Sequence, residues 1–77
     1  MIDGEIVNVM ESWPLQLTVQ TAAGRYHVRL LEGTIVTRRA TTVGPGVLRP
    51  ELRVRIRGSR VRSTPLVMSA RVIEILR

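Results

Sequence analysis

The chain has 77 residues, enough for one small domain that buries about 60–65% of the surface its unfolded form exposes, so its stability margin is thin. It has no cysteine, which excludes disulfides and thiolate metal sites, and its lone His27 builds no zinc site alone, because such sites take three or four protein ligands. All twelve basic residues are arginine, and the +6 charge is uneven: residues 1–37 set Arg25 and Arg29 against four acids, whereas residues 38–77 set ten arginines against Glu51 and Glu74.

Residues 2–10 read as a first strand, with Gly4 marking a bulge or a sharp bend. Glu11–Pro14 is a loop, since Pro14 ends the pairing. Leu15–Thr21 alternates cleanly: Leu15, Leu17 and Val19 face in, and Gln16, Thr18 and Gln20 face out. Ala22-Ala23-Gly24 is a short hairpin turn, with Gly24 free to take a positive φ. Arg25–Leu30 alternates again, pointing Tyr26, Val28 and Leu30 inward and Arg25, His27 and Arg29 outward.

Residues 32–51 are irregular. Thr34–Thr37 has the composition of a short strand, and Gly44-Pro45-Gly46 and Pro50 break what surrounds them. The region reads as a connector with room for one helical turn around 38–42 and not for a full helix. Leu52–Arg57 is the fourth strand, its Leu52, Val54 and Ile56 facing a core and its Arg53, Arg55 and Arg57 facing away. Gly58–Pro65 is a loop or distorted hairpin end carrying Arg60 and Arg62. The last strand runs from about Leu66 to Leu76. Its parity slips between Met68 and Ala70 on one side and Ile73 and Ile75 on the other, which predicts a bulge near Arg71-Val72.

Five short strands in one 77-residue domain, with no helical period, predict an all-β closed barrel with little or no helix. The run Gly4-x-Ile6-x-x-Val9, then Leu15-x-Leu17, Gly24-x-Tyr26-x-Val28-x-Leu30, Leu52-x-Val54-x-Ile56-x-Gly58 and Ala70-x-x-Ile73-x-Ile75 resembles a small bacterial OB-fold module and covers nearly the whole chain. It is similar both to nucleic-acid-binding OB domains and to stand-alone OB-like modules of unassigned function. An SH3-like barrel is the alternative of equal strand count. The helix usual between the third and fourth OB strands is vestigial or missing here.

The resemblance implies a binding face on the second and third strands, flanked by the loops after the first and fourth. Arg25, His27 and Arg29 would stand on it, Trp13 beside it, and Arg57, Arg60 and Arg62 at its far flank. The expected activity is non-enzymatic binding of single-stranded DNA or RNA through arginine–phosphate contacts. Against it, single-strand binders stack bases on several aromatics, and this chain has one tryptophan, one tyrosine and no phenylalanine. Trp13 before Pro14 reads more readily as a lid over the barrel end than as a stacking platform, and Arg53 and Arg55 more readily as partners of Asp3 and Glu5 across the sheet than as a phosphate track.

The competing expectation is a structural or protein-interaction barrel, a homo-oligomer or accessory subunit, with Val36, Val43, Val47 and Leu48 buried between chains. No enzyme and no cofactor are expected. The serines have no base near them in sequence, the carboxylates are scattered, and no Lys-Ser/Thr follows Gly44-Pro45-Gly46. No signal peptide or membrane span is evident, so a cytoplasmic protein is the default.

Overall fold

The computed structural model describes residues 1–61 and 64–76. Its strands are β1 (Ile2–Met10), β2 (Gln16–Thr21), β3 (Gly24–Arg38), β4 (Thr41–Val43), β5 (Arg53–Arg60) and β6 (Val67–Ile75). Five of them close into a barrel in the order β1, β2, β3, β6, β5 and back to β1. Every pairing around that ring is antiparallel except the parallel one between β3 and β6. This is the all-β, OB-like barrel that the alternation predicts. The only helical element among the described residues is a 3-10 turn, Pro45–Val47.

Alternation decides which side chains enter the barrel. Leu17 and Val19 of β2, Tyr26, Val28 and Leu30 of β3, and Val54 and Ile56 of β5 are all buried, with Leu52 just ahead of β5. No polar or charged residue is buried among the described residues, so the core needs no internal hydrogen bonding. β6 contributes Met68 and Ala70, then Ile73 and Ile75, from opposite parities. The change of parity is the expected bulge: Arg57 pairs with Val72 and Gly58 with Ala70, leaving Arg71 as the extra residue.

Gly4 is not bulged. It keeps register with Val54, and the β1 irregularity falls instead between Ile6 and Asn8. Gly4 serves close approach: a Cβ there would collide with the Gln20 carbonyl oxygen and a methyl of Val19. Gly58 is tighter still, because a Cβ would overlap the backbone of Ser69 and Ala70 across the β5–β6 ladder. The barrel wall is narrow at both places, and only a residue without a side chain lets the strands meet.

The 32–51 region is more regular than its composition predicts. Thr34–Thr37 belongs to the long strand β3, which bends where its register against β6 shifts between Leu30 and Ile35. At that bend the Leu31 N–H donates to the Thr34 hydroxyl (2.7 Å), which in turn donates to the Ala70 carbonyl of β6 (2.7 Å). One side chain thus bridges the gap in the ladder. Residues 38–42 form no helical turn. Arg38 pairs with Thr41 across a two-residue hairpin turn, Arg39-Ala40, in which both residues take positive φ (51° and 63°). β5 also runs on to Arg60, past the point at which Gly58 was expected to open the loop.

The apolar strip assigned to an oligomer interface is occupied within the chain. Val36 and Leu48 are core residues, and Val43 and Val47 pack against that core. The β3–β4 hairpin supplies Val36 and Val43, the 3-10 turn supplies Val47, and Leu48 follows directly after it.

Candidate nucleic-acid interface

β2 and β3 pair in uninterrupted register, so their outward side chains form three cross-strand rows: Gln16 with Arg29, Thr18 with His27, and Gln20 with Arg25. The stretch 16–30 contains no acid. Arg25 and Arg29 are exposed and His27 is half-buried. At a strand rise of about 3.3 Å, Arg25 and Arg29 stand roughly 13 Å apart along β3. Arg25 Nε donates to Gln20 Oε1 (2.9 Å), which orients its guanidinium across the β2–β3 ladder. Among the described residues neither arginine has a carboxylate within ion-pairing distance.

The two ends of this face are furnished differently. The β1–β2 loop stands beside the Gln16–Arg29 row. Within it the Trp13–Pro14 peptide is cis, and the Ser12 hydroxyl donates to the Pro14 carbonyl (3.1 Å). Trp13 is 76% exposed, so it covers no barrel end, and the lid reading is set aside. Its indole projects as a free apolar plane next to a polar face.

Beyond the Gln20–Arg25 row, Arg60 lies with its guanidinium carbon 5.7 Å from the ring centroid of Tyr26. Tyr26 is buried in the barrel, and Arg60 lies over its ring and gains a cation–π contact. Arg60, Tyr26, Asp3 and the β2–β3 turn share a hollow of about 350 Å³. Leu66, just ahead of β6, is tied to β3 by the His27 N–H, which donates to its carbonyl (2.8 Å).

Arg57 is not part of this assembly. The ring order sets the body of β5 across the barrel from β2 and β3, and Arg57 shares a separate hollow with Met1, Gly58 and Arg71, whereas Arg60 at the end of the strand reaches the Tyr26 ring. Arg62 lies outside the described residues. Asp3 takes Arg55 out of the cationic row of β5. Arg55 Nε donates to Asp3 Oδ1 (3.0 Å) and Nη2 to Oδ2 (3.4 Å), a two-pronged contact. That hydrogen bond holds the Asp3 carboxyl below its ordinary value and raises the Arg55 guanidinium above its own. Arg53 sits opposite Glu5 in register.

Three residues with positional roles were not found from sequence. Thr34, Arg39 and Arg49 sit in the stretch read as a connector, where no periodicity marks a side chain's direction. Among the described residues no group of His, Asp or Glu is placed to hold a metal ion, and no helix is long and apolar enough to cross a membrane. No protein-family model, curated protein or solved structure matches the chain, so its reading rests on the barrel and on the side chains it displays.

Proposed function

We propose that the chain is an OB-fold binding module that takes single-stranded nucleic acid across the outer face of β2 and β3. Arg25 and Arg29 contact phosphates, Arg60 supplies charge at the hairpin end, and Trp13 stacks one base at the other. Gln16, Thr18, Gln20 and His27 offer donors and acceptors between them. The observation that carries this reading is the face itself: two strands in register, two arginines without carboxylate partners, no acid between residues 16 and 30, and a bare indole at one end.

The chemistry sets the character of the binding. One stacking group contributes about 1–3 kcal/mol, so most of the affinity comes from phosphate contacts and is salt-dependent. Binding is modest and tolerant of sequence, because arginine–phosphate contacts position a strand without reading its bases. No step of bond making or breaking is assigned to these residues. Fluorescence anisotropy with random single-stranded DNA and RNA, at rising salt, tests the reading. Binding at low salt that weakens on replacing Arg25 and Arg29 supports it, and absence of binding to either polymer at low salt refutes it.

A further inference from the structure

The barrel carries a second cationic site at its other end. A cleft of about 520 Å³ is lined by Arg38, Arg39, Arg49, Leu52, Ile75 and Leu76. It lies where β3 turns into β4, nine residues beyond Arg29 along the strand, and shares no residue with the β2–β3 face. Half of its lining is guanidinium-bearing and half is aliphatic. Among the described residues no carboxylate lines it: Glu51 is not among its walls, and Glu74 stands in register with Arg55 across the β5–β6 ladder. Among the described residues, none of the three arginines has an acidic side chain within 4.0 Å.

The backbone around the cleft is unusual as well. Of the four non-glycine residues with positive φ among those described, three flank it: Arg39 (51°), Ala40 (63°) and Glu51 (80°). A two-residue hairpin turn with both φ positive favours Asn-Gly, which adopts that geometry without a Cβ penalty at its second position. This chain instead has Arg39 at the first position and Ala40 at the second, and Arg39 lines the cleft. Such strain is found where a side chain's position matters more than local stability.

Three like charges grouped without counter-charge repel one another, and an anion held among them relieves that repulsion. Guanidinium forks match the oxygens of phosphate and carboxylate. The apolar wall excludes the simplest such ligand, a free hydrated ion, as the best fit, and the volume lies within the range of small-molecule sites. We propose that this cleft binds a small amphiphilic anion, a phosphate monoester or carboxylate with a short apolar tail. The head group lies on Arg38, Arg39 and Arg49, and the tail runs along the exposed side chain of Leu76, with the buried Leu52 and Ile75 beneath it.

The test is an amide-resolved NMR titration of the whole chain with octyl phosphate below its micelle concentration. Octanoate, inorganic phosphate and the neutral octyl glucoside are run beside it. Octyl phosphate and octanoate are expected to give saturable shifts at residues 38–41, 49, 52 and 76, with octyl phosphate at least tenfold tighter than inorganic phosphate. Octyl glucoside is expected to give none. Equal affinity for octyl phosphate and inorganic phosphate would overturn the proposal, as would shifts confined to Arg25–Arg29 or no saturation.

Two variants guard against misfolding. R39N combined with A40G installs the preferred turn residues, and R49Q alters an exposed side chain. Both should keep the wild-type spectrum elsewhere and bind octyl phosphate at least fivefold more weakly. Unchanged affinity in either is evidence against the site. Phosphatidylcholine vesicles doped with phosphatidic acid identify the source of the anion. Co-sedimentation abolished by R49Q assigns a membrane headgroup, and its absence beside tight octyl phosphate binding assigns a free ligand.

Discussion

Arg55 and Asp3 join β5 to β1 through two hydrogen bonds on the outer wall of the barrel, at 3.0 and 3.4 Å. The contact has a definite pH signature. Asp3 has its carboxyl lowered, chiefly by the Arg55 hydrogen bond, so the folded state binds its proton more weakly than the unfolded chain does. The stabilisation is therefore complete above the unfolded value near 4 and is lost as pH falls through the lower folded value. Denaturant midpoints measured from pH 6 down to pH 2 should fall in acid, and D3N should flatten part of that fall. Identical acid profiles for wild type and D3N would contradict the role given to this pair.

Gly58 and Gly33 make a matched comparison. A methyl at Gly58 meets the Ser69 backbone, which has nowhere to move without opening the β5–β6 ladder, whereas nothing lies within 4 Å of one at Gly33. G58A should cost about 1–3 kcal/mol or more, as overpacking does, and G33A should stay within about 0.5 kcal/mol. At about 4–8 °C per kcal/mol for a domain of this size, thermal melts separate the two.

Thr34 bridges the bend of β3 to Ala70 with one hydrogen bond accepted and one donated. Valine keeps the shape and loses both, leaving the Leu31 N–H and the Ala70 carbonyl without this partner. T34V should lower stability by about 1–3 kcal/mol, and T34S should recover most of it. Hydrogen exchange at Leu31 should speed up in T34V and not in T34S.

Arg60 contacts the ring of Tyr26, and under the proposed function it also supplies charge at the hairpin end of the β2–β3 face. Loss of the cation–π contact in R60A should cost about 0.5–1 kcal/mol. Lysine keeps the charge, so R60K should bind oligonucleotide nearly as wild type does, and R60A more weakly. Anisotropy and melting of the same three proteins separate the contributions.

The barrel was legible from sequence wherever one face of a strand is buried and the other is wet. Leu17, Val28 and Ile56 declare their side by period two, and the slip at Arg71 shows as a break in that period. The stretch 32–51 was not, because its strand pairings are short and its turn residues, Arg39 and Ala40, have no chemical preference for the positive φ they adopt. Of the bulge or sharp bend expected at Gly4, the bulge is absent, because a glycine that permits close approach and one that permits a bulge look alike in a sequence. On the candidate face, Arg25, His27 and Arg29 follow from strand parity. Arg57 does not belong with them, since the ring order sets the body of β5 on the opposite wall and the last residue of that strand, Arg60, is the one that reaches the Tyr26 ring of β3.

The β2–β3 face is tested most directly by the salt dependence of oligonucleotide binding in wild type and in R25Q/R29Q. Each phosphate neutralised on a single strand contributes about −0.7 to the slope of log affinity against log salt. With Arg25, Arg29 and Arg60 engaged, wild-type affinity should fall roughly 20-fold between 50 and 200 mM salt. The double variant should bind more weakly at the outset and lose only about threefold over the same range. Wild type and variant sharing one affinity and one slope would contradict nucleic-acid binding on this face.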